Sequence, residues 1–266
     1  MFEVFTQEID TPALRMSYHR APWDEATIGA PVAAISAIQV VDEPAARSKF
    51  MAFKDWCFRE GVALASCRLP QDRLLECGFL EAQGFRFIEL NYRPERSGLQ
   101  TMDLGEPDGL RVLPATAADE EAICGIAGQV FEAGRFHDDP LIGARIGNRR
   151  YEHWAANAFR NPAQSVLKCL DAERVIGFFV FERPEPTRRF WSLVGLAPGI
   201  GGRGMGFRVW RAVLRWHRDE GVDYVSTSIS SHNTAVHNLY VKLGFRFPAP
   251  AITLHWCPRG RIGGPA

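Results

Sequence analysis

The sequence has no excess of charge of either sign, because its 31 Lys and Arg residues balance 31 Asp and Glu residues. A balanced chain has no basic field to attract nucleic acid or an acidic membrane surface. The sequence also contains no run of about 18 apolar residues, as a membrane-spanning helix would require. Its first residues, MFEVFTQEID, lack the basic-then-apolar layout of a secretory signal. These absences predict a cytoplasmic protein without nucleic-acid or membrane partners.

Paired cysteine motifs are missing as well. The six cysteines are scattered and form no C-x-x-C pair. Such a distribution argues against a disulfide framework and against a zinc site. We therefore expect reduced thiols that serve as small buried hydrophobic residues, and we expect no metal ion.

A tetrapeptide that occurs twice gives the first positive signal. GFRF begins at Gly84 and again at Gly244, 160 residues later. At this offset, residues 52–87 align with 212–247 without a gap and with ten identities, one of which is a tryptophan pair. A spacing of this length is too long for a solenoid and predicts a duplicated domain. The alternative is the chance recurrence of a common helix-to-strand junction.

The repeat and the local composition predict a domain organisation. The segment RPERSGLQTMDLGEPDG is polar and rich in proline and glycine, as is typical of a linker. We therefore predict a degenerate N-terminal domain (1–95), a linker (96–108), a catalytic domain (109–258) and a flexible tail (259–266).

The second half has the pattern of an α/β protein. A strand and two helices precede three strands that read as an antiparallel meander, and helices then alternate with strands. One helix is predicted from Met205 to about Glu220, and Gly221 and Gly244 occupy helix C-cap positions. This order predicts a central, mixed, largely antiparallel sheet flanked by helices.

Five glycines lie among the eight residues from Gly199 to Gly206, between a predicted strand and a helix. Glycines permit positive φ and close approach of a ligand, and a helix N-terminus attracts anions, so this loop can cradle a pyrophosphate. No G-K-[ST] follows, which excludes a Walker loop, and a Rossmann loop fits poorly. A turn without a ligand is the alternative. The following helix carries a row of arginines that we interpret as a solvated stripe: Arg208, Arg211, Arg215 and Arg218.

Two signatures here resemble the GCN5-related N-acetyltransferase (GNAT) family. LAPGIGGRGMG (196–206) is similar to V-x-P-x-x-[RQ]-G-x-G-x-[GA], with Gly201 at the Arg/Gln position, and NTAVHNLYVKLGF is similar to N-x-x-A-x-x-L-Y-x-K-x-G-F. The resemblance implies the GNAT fold, with a partial GNAT-like domain in the first half, and acetyl-CoA as co-substrate. It implies cofactor contacts from Val194, Leu196, Gly201, Gly202, Arg203, Gly204, Met205, Gly206 and Asn233.

The same resemblance gives Tyr240 a catalytic role. Tyr240 lies two helical turns after Asn233 and shares its face. A tyrosine hydroxyl beside the thioester can act as the general acid that protonates the leaving thiolate. The alternative is that Asn233 is only a helix cap and Tyr240 only a core residue. At the 160-residue offset the first half has Arg73 and Leu80 instead, which favours the functional interpretation.

The acceptor is suggested by further motifs. WDEATIGAPV, GRFHDDPLI, Tyr151 and Trp154 resemble bacterial nucleotide-sugar N-acetyltransferases of the dTDP-fucosamine (dTDP-4-amino-4,6-dideoxygalactose) type. This resemblance implies a nucleotide-linked amino sugar as acceptor, bound by Phe136, His137 and Asp139. An acetyltransferase for a peptide N-terminus or another small amine, and a non-catalytic acetyl-CoA-binding module, remain alternatives. The oligomeric state is open, with a homodimer among the options, and so is the general base, with His137, Asp138, Asp139 and His237 as candidates.

Overall fold

The computed structural model describes residues 5–202 and 204–262. None of the helices in these ranges is both long and apolar enough to cross a membrane. Two short 3-10 helices, at Leu99–Thr101 and Ala117–Asp119, accompany the following elements: β1 (Thr6–Asp10), β2 (Leu14–Arg20), α1 (Pro22–Ile28), β3 (Val32–Val40), α2 (Glu43–Arg59), β4 (Leu64–Pro70), α3 (Leu74–Ala82), β5 (Arg86–Tyr92), β6 (Glu95–Ser97), β7 (Arg111–Pro114), α4 (Glu120–Val130), α5 (Ala144–Ala158), β8 (Gln164–Asp171), β9 (Arg174–Glu185), β10 (Arg188–Leu196), α6 (Met205–Asp219), β11 (Tyr224–Thr227), β12 (Ile229–Ser230), α7 (Thr234–Lys242) and β13 (Ala251–Trp256).

These elements form two compact units that are not contiguous in sequence. The first unit comprises residues 5–91, 133–147 and 249–262, and the second comprises residues 92–132 and 148–248. The two contiguous domains inferred from the repeat stay a prediction about the origin of the chain. Each compact unit, in contrast, combines residues from both sides of the predicted domain boundary.

The first unit is built on a sheet in the order β1-β2-β3-β4-β13-β5. Only β3 and β4 run parallel, and the other neighbours are antiparallel. Its core contains the aromatic face of α2, where Phe50, Phe53 and Trp56 are buried at helical spacing. Burying large rings of this kind is a main source of stability for a small sheet.

The second unit contains a sheet in the order β6-β11-β10-β9-β8-β7. Here β10 and β11 are parallel, and the other neighbours are antiparallel. The central strand β9 is apolar on both faces from Ile176 to Phe181, as expected where helices cover both sides of a sheet. The predicted fold class, a mixed and largely antiparallel sheet flanked by helices, is confirmed. The segment VDYVSTSIS forms two short strands, β11 and β12.

The segment 96–108, which we interpreted as a linker, is an ordered part of the second unit. β6 pairs with β11, and Leu99 and Leu104 are buried in the hydrophobic core of this unit. The polar composition of the segment gives no indication that these two leucines are buried. Two leucines among polar residues do not create a periodic signal.

The arginine row of α6 holds this segment in place. Arg208 Nε donates to Asp108 Oδ2 at 2.9 Å, and Arg215 Nη2 donates to the carbonyl of Gly105 at 2.8 Å. Arg211 donates to the carbonyl of Leu104. The interpretation of this row as a purely solvated stripe is therefore wrong for three of its four members.

Part of the predicted tail lies outside the described residues. Within them, the backbone N–H of Ile262 donates to the carbonyl of Leu141 at 2.7 Å, inside the first unit. Residues 259–262 thus include at least one main-chain contact that the prediction of a flexible tail did not anticipate.

Candidate active site

The two parallel strands of the second unit separate partway along their length. β10 pairs with β11 only from Arg188 opposite Tyr224 to Trp191 opposite Thr227. Beyond Trp191, no strand among the described residues pairs with this edge of β10, which continues to Leu196. A parallel pair that separates in this way leaves main-chain donors and acceptors available to a ligand.

Hydrogen bonding on the other side of β10 shows which groups face the gap. The N–H of Ala197 donates to the carbonyl of Ile176 in β9 at 2.9 Å. Because successive N–H groups of a strand point to opposite sides, those of Val194 and Leu196 point away from β9 and toward the gap. Both residues are half-buried. They have the placement required of main-chain groups that bind an extended ligand.

The gap ends at the glycine loop. Gly199, Gly202 and Gly204 have φ values of 76°, 89° and 79°, a conformation that other residues adopt only with strain. A Cβ atom built on these three or on Gly201 would meet no described atom within 4 Å, so the space above the loop is open. Gly204 is the N-cap of α6, and Met205 and Gly206 form its first turn. Arg203, also predicted to contact the cofactor, lies outside the described residues.

This geometry fits the diphosphate of a coenzyme. Small residues allow close approach, and the start of α6 supplies a positive dipole end. Gly201, at the Arg/Gln position of the GNAT signature, contributes no side chain to anion binding. The contacts predicted for 201–206 stay a prediction.

Asn233 is the N-cap of α7. Its Oδ1 accepts a hydrogen bond from the N–H of Val236 at 3.2 Å, which satisfies one of the free donors at the helix start. The cap uses the oxygen of the amide, so the Nδ2 donor is left for a ligand. The cap and the predicted cofactor contact are therefore compatible in one side chain.

Tyr240 lies in the core of the second unit, where 1% of its surface is exposed. Its ring packs 4.7 Å from that of Phe245, centroid to centroid, and also near Trp191 and Trp210. Burial raises the pKa of Tyr240 to about 12, and the neighbouring Trp210 and Thr227 side chains lower it less than burial raises it. The phenol therefore stays protonated at neutral pH and can donate a proton.

Thr227 connects Tyr240 with the gap. It is the last residue of β11 that pairs with β10, and its Oγ1 donates to the carbonyl of Trp191 at 2.8 Å. A Tyr240 hydroxyl beside Thr227 therefore lies near the point where the two strands separate. The sequence patterns did not single out Thr227 or Trp191, because a threonine and a tryptophan in a strand are common without any site.

Trp191 is fixed by a buried histidine that the sequence analysis also missed. Its Nε1 donates to Nε2 of His217 at 2.9 Å, and both side chains are fully buried. Burial lowers the pKa of His217 to about 3, so the imidazole is neutral and Nε2 can accept. The pair rigidifies the strand at the point of separation.

The loop GRFHDDPLI belongs to the first unit, whereas the glycine loop belongs to the second. Asp139 is fully buried. Its Oδ1 accepts hydrogen bonds from Arg86 at 3.0 Å and from the N–H of Leu141 at 2.9 Å. Its Oδ2 lies 2.8 Å from Nδ1 of His255. Burial opposes ionisation, but the bonds to His255 and Leu141 outweigh it and lower the pKa of Asp139. Burial lowers the pKa of His255 to about 4, so a neutral imidazole donates to the carboxylate.

These contacts bear on the predicted acceptor residues. Phe136 is 2% exposed and packs in an apolar cluster, and Asp139 has no exposed surface, so neither presents a free face to an acceptor. His137 is half-buried against α5, where a Cβ on Gly147 would come within 2.5 Å of its ring. Of the other base candidates, Asp138 accepts from the N–H of Gly134 at 3.1 Å through Oδ2, and the ring of His237 packs 4.3 Å from that of Phe247, centroid to centroid. Acceptor binding by Phe136, His137 and Asp139 stays a prediction.

Comparison with known proteins identifies the domain around this gap. Residues 135–245 match the model of the Acetyltransferase (GNAT) family. This stretch of the chain is therefore similar to a GNAT acetyltransferase domain. Members of this family use acetyl-CoA as co-substrate, and the gap and the open glycine loop in this domain fit that coenzyme.

Solved GNAT structures share the fold over nearly the whole chain. A GCN5-related N-acetyltransferase from Sphaerobacter thermophilus is 13% identical, with a TM-score of 0.67, and the alignment covers 94% of this chain and 78% of that one. One from Kribbella flavida is 15% identical, with a TM-score of 0.60 and coverage of 97% and 90%. A tandem GNAT protein from the clavulanic acid biosynthesis pathway is 14% identical, with a TM-score of 0.58 and coverage of 97% and 86%.

A curated relative is similar over a shorter stretch. The spore coat polysaccharide biosynthesis protein SpsD of Bacillus subtilis (strain 168) is 23% identical over 133 residues. The match covers 50% of this chain and 45% of that protein, so the chain matches less than half the length of this relative.

Proposed function

We propose that this protein transfers an acetyl group from acetyl-CoA to a primary amine, and that the amine belongs to a nucleotide-linked amino-deoxy sugar. The observation that carries the proposal is the gap between β10 and β11, which exposes the N–H groups of Val194 and Leu196 and opens onto the glycine loop. The coenzyme, when bound, supplies the activated acetyl thioester.

The residues of the chain have separate tasks in this proposal. The edge of β10 binds the extended arm of the coenzyme, and the Val194 and Leu196 N–H groups are fixed donors for a developing oxyanion. The loop before α6 holds the diphosphate. Asn233 donates to the arm through Nδ2, and Tyr240 gives its proton to the departing sulfur. A water molecule or one of the candidate bases removes the proton from the amine.

The sugar acceptor is proposed on grounds separate from those for the acetyl donor. It is supported by the resemblance of WDEATIGAPV and GRFHDDPLI to nucleotide-sugar N-acetyltransferases, and by the polysaccharide role in the name of SpsD. A peptide N-terminus or another small amine is the second candidate.

An amine panel tests the proposal directly. Release of free thiol from acetyl-CoA should be measured with thymidine-linked 4-amino-4,6-dideoxy sugars, free amino sugars, peptides with free N-termini, and polyamines. Turnover should be highest with the nucleotide-linked sugars. Highest turnover with a peptide would replace the acceptor assignment, and binding of acetyl-CoA without turnover of any amine would favour a non-catalytic module.

A matched pair of glycine variants checks that turnover uses the glycine loop. Gly204→Asp puts a carboxylate and a Cβ into the loop, so acetyl-CoA affinity should fall by about 100-fold or more through charge repulsion and lost approach. Gly109→Asp is the control, because Gly109 also has positive φ and open space around it but lies outside the loop. Equal loss in both variants would point to backbone strain instead of the diphosphate site.

A further inference from the structure

A group of cationic and polar side chains surrounds Phe181 near the turn that joins β9 to β10. The guanidinium carbons of Arg183 and Arg189 lie 4.7 Å and 6.0 Å from the centroid of its ring. The ring of His217, near the end of α6, lies 4.9 Å from that of Phe181, centroid to centroid. We propose that this Phe181 cluster and the cavity beside it bind a small organic oxyanion, a carboxylate or a phosphate.

Arg189 is a buried charge without a counter-charge. It is 6% exposed, and its Nη1 donates to the carbonyls of Pro186 at 2.9 Å and Arg188 at 2.8 Å. These bonds hold the turn, but a neutral carbonyl does not balance a guanidinium charge. No carboxylate among the described residues forms an ion pair with Arg189. Burial and the like charge of Arg183 lower the pKa of Arg189, and Glu220 opposes them less strongly. Because buried charges are nearly always paired, a bound anion would relieve this arrangement.

Two buried donors of the Phe181 cluster lack an acceptor. Nε of Arg189 and Nδ1 of His217 have no hydrogen-bond partner within the ranges that the structure describes. Nδ1 is a donor, because Nε2 of the neutral His217 accepts from Trp191 and the proton is therefore on the other nitrogen. Buried donors are nearly always paired, and one oxyanion can accept from several donors. The cluster is thus short of an acceptor that carries negative charge.

A cavity of about 240 Å³ adjoins the Phe181 cluster and gives a ligand room. Phe181 and Arg183 line it, together with Ser165 of β8 and Trp216 of α6. Arg183 donates to Oγ of Ser165, which fixes the guanidinium group at the wall, and it makes no ion pair with any described residue. None of the described lining residues is acidic. A ligand at this wall therefore meets a positive field.

The walls and the size of the cavity indicate the kind of anion. Three aromatic rings line it, those of Phe159, Phe181 and Trp216. An apolar body can pack on these rings while its acidic group binds Arg183. The volume of about 240 Å³ is below the ~300–1,000 Å³ of sites for drug-sized ligands, so the expected ligand is small.

The position of the cavity separates it from the glycine loop. Helix α6 begins at that loop with Met205, and Trp216 lies eleven residues further along the helix. At 1.5 Å per residue, the two positions are about 16 Å apart along the helix axis. An anion bound beside Trp216 is therefore not the diphosphate that the loop fits.

Calorimetric titration of the full chain with benzoate and with phenyl phosphate tests the proposal, with benzyl alcohol as the neutral analogue. At least one of the two anions should bind saturably and about tenfold or more tightly than benzyl alcohol, because charge-assisted bonds require the anion. The tighter anion identifies the acidic group as a carboxylate or a phosphate. Arg183→Gln, a change at an exposed residue, should weaken its binding by about tenfold.

Two control variants locate the bound anion. Arg188→Gln removes a cation from the same turn, but Arg188 pairs with Glu185 and lies 4.4 Å from the ring centroid of Tyr224. Its loss should leave the affinity for the anion within about twofold of wild type. Gly204→Asp puts a carboxylate into the glycine loop and should also leave that affinity unchanged.

Several results would overturn the proposal. They are a lack of saturable binding of either anion, equally tight binding of benzyl alcohol, an affinity that Arg183→Gln leaves unchanged, and an equal loss in Arg188→Gln. Loss of binding in Gly204→Asp would assign the anions to the glycine loop instead. The titration needs neither acetyl-CoA nor an amine, so its failure leaves the proposed function intact, and failure of acetyl transfer leaves this site intact.

Discussion

The first and second units contain the same separated pair of strands, but only the second leaves it open. In the first unit β3 and β4 pair in parallel from Val32 opposite Leu64 to Ile35 opposite Cys67. Beyond Ile35, β3 stays paired with β2 up to Val40, but no strand among the described residues pairs with its other edge. Counting from the paired residues, Val40 corresponds to Leu196 of β10. The N–H of Val41 donates to the carbonyl of Ala13, just before β2, at 2.9 Å, so that of Val40 points into the gap, as in the second unit.

Two main-chain groups in the first gap are satisfied by side chains at the start of α3. The N–H of Val40 donates to Glu76 Oε1 at 3.3 Å, and Arg73 Nη2 donates to the carbonyl of Ile38 at 3.1 Å. Arg73 and Glu76 also bind each other at 2.6 Å. An internal ion pair thus occupies the strand edge that the second unit leaves to a ligand.

The loops that follow β3 and β10 also differ, and again only the second unit leaves space for a ligand. Two residues, Val41 and Asp42, connect β3 to α2, whereas residues 197–204 connect β10 to α6. The short connection has no glycine and ends in a side-chain cap, since Asp42 accepts from the N–H of Ala45. The comparison indicates that the arrangement of strands alone does not make a cofactor site, which needs free strand edges and an open loop in addition.

Replacement of the tyrosine should give the largest difference between the two units. Tyr240→Phe removes one hydroxyl and little volume, and kcat should fall by about 10²–10⁴-fold if the phenol protonates the leaving thiolate. Leu80 takes the corresponding place in α3, and Leu80→Met should leave kcat unchanged. Steady-state kinetics, with folding checked by circular dichroism, measures both.

The pH profile adds a second check on Tyr240. Because burial raises its pKa to about 12, the phenol should cause no loss of activity below about pH 11. Turnover of Tyr240→Phe within a few-fold of wild type, under conditions where chemistry limits the rate, would show that Tyr240 serves packing alone.

Particular residues show how much of the candidate site could be predicted from the sequence alone. The glycine loop, Asn233 and Tyr240 were found because their signals are local, within one loop or one helix. The burial of Asp139 against His255 could not be predicted, since the two residues lie 116 positions apart and meet through β13. The insertion of β13 between β4 and β5 is a non-local pairing, and strand patterns do not specify partners.

The ion pair between Arg73 and Glu76 in the first gap could not be predicted from the sequence either. Arg73 and Glu76 have the ordinary three-residue spacing of a helix surface pair, which usually indicates a solvated contact. Only the register of β3 shows that they reach a free strand edge. The sequence shows arginine at position 73 where the repeat would place asparagine, but it does not show that this arginine binds the main chain.

A smaller effect is expected for a substitution of Asn233, the N-cap of α7. It separates the role of this side chain as a helix cap from its role as a contact to the coenzyme. Asn233→Asp keeps an oxygen that accepts from Val236, so the stability of the helix should change little. It removes the Nδ2 donor, so acetyl-CoA affinity should fall by about five- to tenfold. Calorimetry and thermal unfolding measure the two effects, with Arg73→Ala as the counterpart that should leave affinity unchanged. Wild-type affinity in Asn233→Asp would reduce Asn233 to a cap.

The smallest effect should come from the ion pair that closes the first gap. The bond from Arg73 lowers the pKa of Glu76, so the ionised carboxylate stabilises the folded state. That contribution is fully present above the ordinary glutamate pKa of about 4.3 and is lost as the pH falls through the lower folded value. Glu76→Gln should therefore be about 1 kcal/mol less stable than wild type at pH 7, and the difference should shrink steadily below about pH 4. Denaturant unfolding across this pH range measures it, with Glu81→Gln, an exposed change in the same helix, as control. Acetyl-CoA affinity should be the same in all three proteins, and a second bound coenzyme in Glu76→Gln would show that the ion pair alone had kept the first gap closed.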